Sequence, residues 1–125
     1  MKTVLIVVIV LFSGSFAFSQ PAKDYFKAGE KLYRAGKYKE AIEQYSLAIQ
    51  FDEKYIDAII QRGFTYTLVD EFTKAIEDYT TVINMEPKHK WAYISRGSAY
   101  KNIKEYIRIN HIFFYEYLKY LNPFF

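Results

Sequence analysis

The sequence predicts an all-α solenoid of helical hairpins on three observations. Gly29, Gly63 and Gly97 stand 34 residues apart. The residues around each glycine repeat with it: Leu32, Tyr66 and Tyr100 lie three positions on, and Tyr38, Phe72 and Tyr106 nine positions on. Ala41 and Ala75 follow the first two glycines by twelve, and Tyr45 and Tyr79 by sixteen. A period of 34 marks an array of two-helix units. One such unit cannot bury its own apolar face, so function is sought on a surface shared between units.

The first unit spans about 22–55. Its first helix is expected from Ala22 to about Ala35, stopped by Gly36, the residue best suited to a helix C-terminus. Its second, from about Tyr38 to Phe51, puts Ala41, Ile42, Tyr45, Ala48 and Ile49 on one face. The second unit, about 56–89, repeats the plan with helices from about Ile56 to Val69 and Phe72 to Met85, the latter ended by Pro87. The third, about 90–123, opens near Lys90 with a helix expected to end near Asn102. Glycine inside a helix costs ~1 kcal/mol relative to alanine, a cost accepted where two helices approach closely. Gly29, Gly63 and Gly97 are therefore assigned to hairpin crossings, with Ala41 and Ala75 opposite. Tyr45, Tyr79 and the other large residues at these register positions fill the space around them.

Composition bounds the function. A chain of 125 residues with 51% hydrophobic and 20% aromatic content can build one packed domain. The net charge of +3 is spread along the chain without a basic stripe, so no nucleic-acid partner is expected. The absence of cysteine excludes disulfides, thiol catalysis and cysteine zinc sites. Residues 1–19 read as a secretory signal peptide. Lys2 gives the charged start, Val4 to Phe12 the apolar run, and Ala17 and Ser19 the small residues before a cut after Ser19. A cut after Ala17 is the runner-up. An uncleaved anchor, the only expected route to a membrane, would need ~20 apolar residues, and Ser13-Gly14-Ser15 interrupts this run. Residues 20–125 then form the repeat domain of an exported protein, periplasmic or secreted.

The chain resembles the tetratricopeptide repeat (TPR) family. The matching residues are Tyr25, Gly29, Leu32, Tyr38, Ala41, Tyr45 and Ala48 in the first repeat. In the second they are Ile59, Gly63, Tyr66, Phe72, Ala75, Tyr79, Val82 and Pro87, and in the third Tyr93, Gly97, Tyr100 and Tyr106. Arg62-Gly63 recurs as Arg96-Gly97, and Glu40 to Tyr45 is nearly repeated in Lys74 to Tyr79. The resemblance implies a short right-handed solenoid of about 2.5 repeats with a divergent C-terminal helix. Glu53 departs from the family's usual proline. After Tyr106 the pattern fails: Ile109, Phe113, Glu116 and Leu121 stand where Ala, Tyr, a small residue and Pro are expected. Two readings of this tail stand: a divergent cap, or a repeat code lost through truncation or a frame change in a longer array. The second is favoured, because Phe113, Phe114, Tyr115, Tyr117, Tyr120, Phe124 and Phe125 suit a solvent face poorly.

No enzyme chemistry is expected. The five glycines are scattered, so there is no phosphate loop. His89 and His111 lack metal-pair spacing and read as a solvated turn residue and a tail residue. Ser46, Ser95 and Ser98 have no companion histidine. Glu40, Glu43, Glu77 and Asp78 read as a solvated outer face. No cofactor or metal is implied. The resemblance implies that first helices line a concave groove. Its candidate residues are Phe26, Glu30, Tyr33 and Arg34, then Asp57, Ile60, Phe64, Thr67 and Leu68, then Trp91, Ile94, Ser98 and Lys101. Lys23 and Asn102 are also among the groove-facing positions. Phe26, Ile60, Phe64, Leu68 and Ile94 would form an apolar floor, though each could equally be interior. Such a groove suits an extended peptide or an amphipathic helix from a protein partner. Some family members grip a C-terminal carboxylate with Lys, Arg and Asn; Phe26, Glu30, Phe64, Ile94 and Ser98 stand at those places here. Self-association through the aromatic tail is the alternative to groove binding.

Overall fold

The computed structural model describes residues 20–122; the expected leader, Phe124 and Phe125 lie outside the described residues. Among the described residues five helices follow one another: α1 over residues 20–34, α2 Tyr38–Phe51, α3 Ile56–Leu68, α4 Phe72–Met85 and α5 Lys90–Leu121. Helices α2 to α5 each pack on the next, and α3 also meets α5. Tyr33 of α1 reaches Phe64 of α3, with ring centroids 6.2 Å apart. The odd-numbered helices therefore share one layer. The even-numbered helices form the other, and Arg62 of α3 reaches between α2 and α4 to bond both.

The two tight reversals have one cause. Gly36 takes φ +74° after α1, and Asp70 takes φ +62° after α3. Both lie in the left-handed region, which glycine enters freely and Asp tolerates better than most residues. The N–H of Lys37 then donates to Leu32 O at 3.0 Å, and that of Glu71 to Tyr66 O at 2.9 Å. These six-to-one bonds close the helix ends as a Schellman motif does.

The third unit departs from expectation. Its first helix does not end near Asn102 but runs unbroken to Leu121. Lys104 stands 34 residues after Asp70 and 68 after Gly36. A lysine there would spend ~1–2 kcal/mol to enter the left-handed region, and Ile103 and Glu105 beside it continue a helix readily. No hairpin forms, and the distal half of α5 projects past the array. Ile107, Ile109, Ile112, Phe113, Phe114 and Tyr115 are all exposed.

The core lies between the layers. Ala41, Tyr45, Ala48, Ala58, Ala75, Tyr79 and Ala99 are buried, and Ile59, Val82, Ile83 and Ala92 form one apolar cluster. Gly29 and Gly63 stand at crossings as expected. An added Cβ would meet Tyr45 Cε1 at 2.6 Å from Gly29, and Tyr79 Cε1 at 3.0 Å from Gly63. Gly97 is a correction: nothing lies within 4 Å of its would-be Cβ. The helix that should cross it is the one α5 fails to fold back.

Asp78 is a second correction. It is not on a solvated face but buried against Arg62, which donates from Nε to Oδ2 at 2.9 Å and from Nη2 to Oδ1 at 2.7 Å. Arg62 Nη1 also donates to Ser46 Oγ at 3.1 Å. This network ties α2, α3 and α4 together. Burial pushes the Asp78 carboxyl up, and the Arg62 guanidinium pulls against it. His89 is a third: half-buried, it accepts the Ala92 N–H at 3.2 Å through Nδ1 and so caps α5.

Candidate functional site

The odd-numbered layer holds a cleft of about 410 Å³ where α1, α3 and α5 come together. Tyr33, Ile60, Gln61, Phe64, Tyr79, Trp91 and Ser95 line it. Each helix contributes through its period: Ile60 and Phe64 are four apart on α3, and Trp91 and Ser95 four apart on α5, so each pair shares a face. Trp91 is 72% exposed and Phe64 44% exposed. Aromatics this open, beside half-buried Ile60, gain by covering apolar area from water, at about 25 cal/mol per Å².

Polar groups are few and placed at the floor. Tyr79 is buried, and burial pushes its phenol up to about 12, with the Ser95 side chain pulling against that shift. It is therefore neutral at ordinary pH. Gln61 adds an amide that can both donate and accept. Apolar walls with two or three convergent polar groups are the usual make-up of a binding cleft.

The structure brings Tyr33, Ile60, Phe64 and Trp91 together in this cleft. Phe26 lies elsewhere, half-buried, with its ring 5.7 Å from Tyr45 and 5.0 Å from Tyr55. Ile60 is partly interior, packed on the core cluster. Glu30 and Arg34 pair at 3.9 Å one turn apart, Arg34 exposed and Glu30 half-buried. Such a pair contributes a few tenths of a kcal/mol. Thr67 donates its hydroxyl to Phe64 O at 2.6 Å. Asp57, Leu68, Ile94, Ser98 and Lys101 are exposed and outside the cleft. Gln61, Tyr79 and Ser95 were not among the expected groove residues. Gln61 and Ser95 stand 34 apart, so the period that found the glycines also carried their signal. Among the described residues no cluster of His, Asp and Glu could hold a metal ion, and no helix is long and apolar enough to cross a membrane.

Residues 29–68 match the family model described as TPR repeat. No curated protein matches the chain. Among solved structures it is similar to MamA, at 30% identity over 69% of this chain and 50% of that one, with a TM-score of 0.65. The chain thus spans about half the length of the MamA structures it matches. It is also similar to the first TPR of Spaghetti (RPAP3) bound to the HSP90 peptide SRMEEVD. There the identity is 25%, over 86% of this chain and 83% of that one, with a TM-score of 0.66. A tetratricopeptide repeat protein from Parabacteroides merdae matches at 27% identity, over 83% of this chain and 40% of that one, with a TM-score of 0.63.

Proposed function

From a TPR-like helical solenoid, whose family the repeat match and the solved relatives support, we propose an exported, non-enzymatic scaffold that binds a segment of a partner protein in its concave layer. TPR domains typically mediate protein–protein interactions and bind peptides. The observation that carries this reading is the cleft of Tyr33, Ile60, Phe64 and Trp91, with Gln61 and Ser95 as its polar points. Its walls suit apolar or aromatic side chains spaced along an extended peptide or one helix face. The HSP90 peptide of the RPAP3 structure is acidic. Here Phe26, Glu30, Phe64, Ile94 and Ser98 offer no cation at the places where some family members hold a carboxylate, so an apolar segment is the better fit.

The test is recovery of partners from the native envelope fraction with the chain and with Phe64→Glu/Trp91→Ser. Both positions are exposed, so circular dichroism should be unchanged while specific partners are lost. Equal recovery refutes the reading. Export has its own test: N-terminal sequencing of the native protein should begin at Gln20. A start at Met1 removes that part of the proposal.

The exposed distal half of α5 favours a second reading, self-association. Phe113 is 69% exposed, with Ile109, Ile112, Phe114 and Tyr115 open beside it. Exposed apolar side chains in this number promote association.

A further inference from the structure

The Arg-Gly pair occurs twice in register, at 62–63 and 96–97, and only the first is filled. At the first, Asp78 takes both forks of Arg62, and Tyr79 closes over Gly63. One acidic-aromatic dipeptide on α4 thus fills one Arg-Gly seat on α3. The second seat is half built. Arg96 Nη1 donates to Thr80 Oγ1 at 3.3 Å, as Arg62 does to Ser46 sixteen positions before it. Its guanidinium also lies 5.6 Å over the Tyr93 ring. Among the described residues Arg96 forms no ion pair with a carboxylate, and Gly97 faces open space.

The chain's own register equivalents cannot fill this seat as α5 stands. Ile112 and Phe113 lie sixteen residues farther along the same helix, ~24 Å away at 1.5 Å per residue. Ile112 also carries no charge. Symmetric pairing of two straight α5 helices fails as well. Gly97 and Phe113 are about 160° apart around the helix at 100° per residue, so both cannot face one partner. The surroundings state the ligand's charge. Lys90, Lys101 and Lys104 share the Gly97 side of α5 at spacings of seven, four and seven residues and are exposed. Tyr93 and Tyr100, also exposed, flank the glycine.

We infer that Arg96 and Gly97 form a docking seat for a helix of a partner protein that carries an acidic residue followed by an aromatic one. The helix lies antiparallel to the proximal half of α5 and against α4. Its carboxylate takes the guanidinium of Arg96, and its ring covers Gly97. The seat lies on the other side of α5 from the cleft and does not depend on the groove reading.

A suitable probe is the α4 sequence, FTKAIEDYTTVINM, fluorescein-labelled and carrying Thr73→Lys, whose amine is condensed with the Glu77 carboxyl, with loss of water, into a lactam that holds it helical. Its binding to the full chain is read by fluorescence anisotropy. Saturable binding is expected, weakened about tenfold or more by Asp78→Asn in the probe or Arg96→Gln in the chain, since bonds to charged groups are the strong ones. Gly97→Leu should abolish binding with unchanged circular dichroism, because its side chain enters open space. Phe64→Glu should leave binding intact, separating this site from the cleft. No binding, or equal binding to Gly97→Leu, overturns the proposal. So does binding only after the chain is cut at Tyr106, which would mean that its own tail fills the seat. A dimer that Gly97→Leu dissolves would assign the seat to a second copy and overturn the proposal too.

Discussion

Three glycines of one register have three environments, and substitution should sort them. An alanine Cβ at Gly29 would press into the Tyr45 ring, and one at Gly63 into Tyr79 and the Asp78 Cβ. Overpacking of this kind costs ~1–3 kcal/mol, set against a helix-propensity gain of up to ~1 kcal/mol. Gly29→Ala should therefore lower the midpoint of urea denaturation. Gly63→Leu, with more to place, should lower it further. Gly97→Ala meets nothing and should raise it by up to ~1 kcal/mol. Asp78→Ala leaves half-buried Arg62 without its carboxylate and should cost ~3 kcal/mol. Arg62→Met/Asp78→Leu should recover part of that in a double-mutant cycle. Tyr45 adds a pH test. Burial, with Glu30 adding to it, pushes its phenol up to about 12 from the ordinary 10, and its hydroxyl has no hydrogen-bond partner among the described residues. A raised folded-state value means that stability is full below pH 10 and is lost as pH rises toward 12. Tyr45→Phe should flatten that loss and add ~1 kcal/mol at neutral pH, read as melting temperature against pH.

At the scale of elements, the 34-residue period made α1 to α4 legible nearly to their ends, because glycine, alanine and tyrosine recur where helices cross. The reversal it predicted near Asn102 does not form, and that outcome turns on one dihedral. Gly36 and Asp70 can turn left-handed and Lys104 resists, yet a residue count treats the three positions alike. Lys104→Gly tests this directly. It should reduce the ellipticity at 222 nm and open a protease-sensitive point within α5; an equally helical, equally resistant chain would show that the reversal needs more than position 104. Asp78 escaped for a different reason. Its run of charged neighbours reads as solvated, and only its sixteen-residue spacing from Arg62, the spacing of Gly63 from Tyr79, marks it as interior. Half of the cleft was legible for the same cause. Tyr33, Ile60, Phe64 and Trp91 followed from the first-helix faces, whereas Tyr79 reaches the floor from the other layer.

The described residues form a short two-layer stack with an arm. At 1.5 Å per residue the 32 residues of α5 extend ~48 Å, and only the proximal half rests on α4. The arm's open Ile, Phe and Tyr side chains predict reversible association. Light scattering should show oligomers of the full chain growing with concentration, and a monomer once the chain is cut after Tyr106. A monomer in both preparations would remove the self-association reading.

The left-handed residue between paired helices also acts as punctuation. A solenoid is a one-dimensional polymer whose growth by one unit requires each hairpin to close and present a fresh face to the next. Lys104 stands where that closure is due, and a side chain with a Cβ disfavours the positive φ it requires, beside Ile109 and Phe113 at the places of the repeat's Ala and Tyr. If Lys104→Gly restores the reversal, array length in such a protein changes by a point substitution, without adding or deleting a repeat.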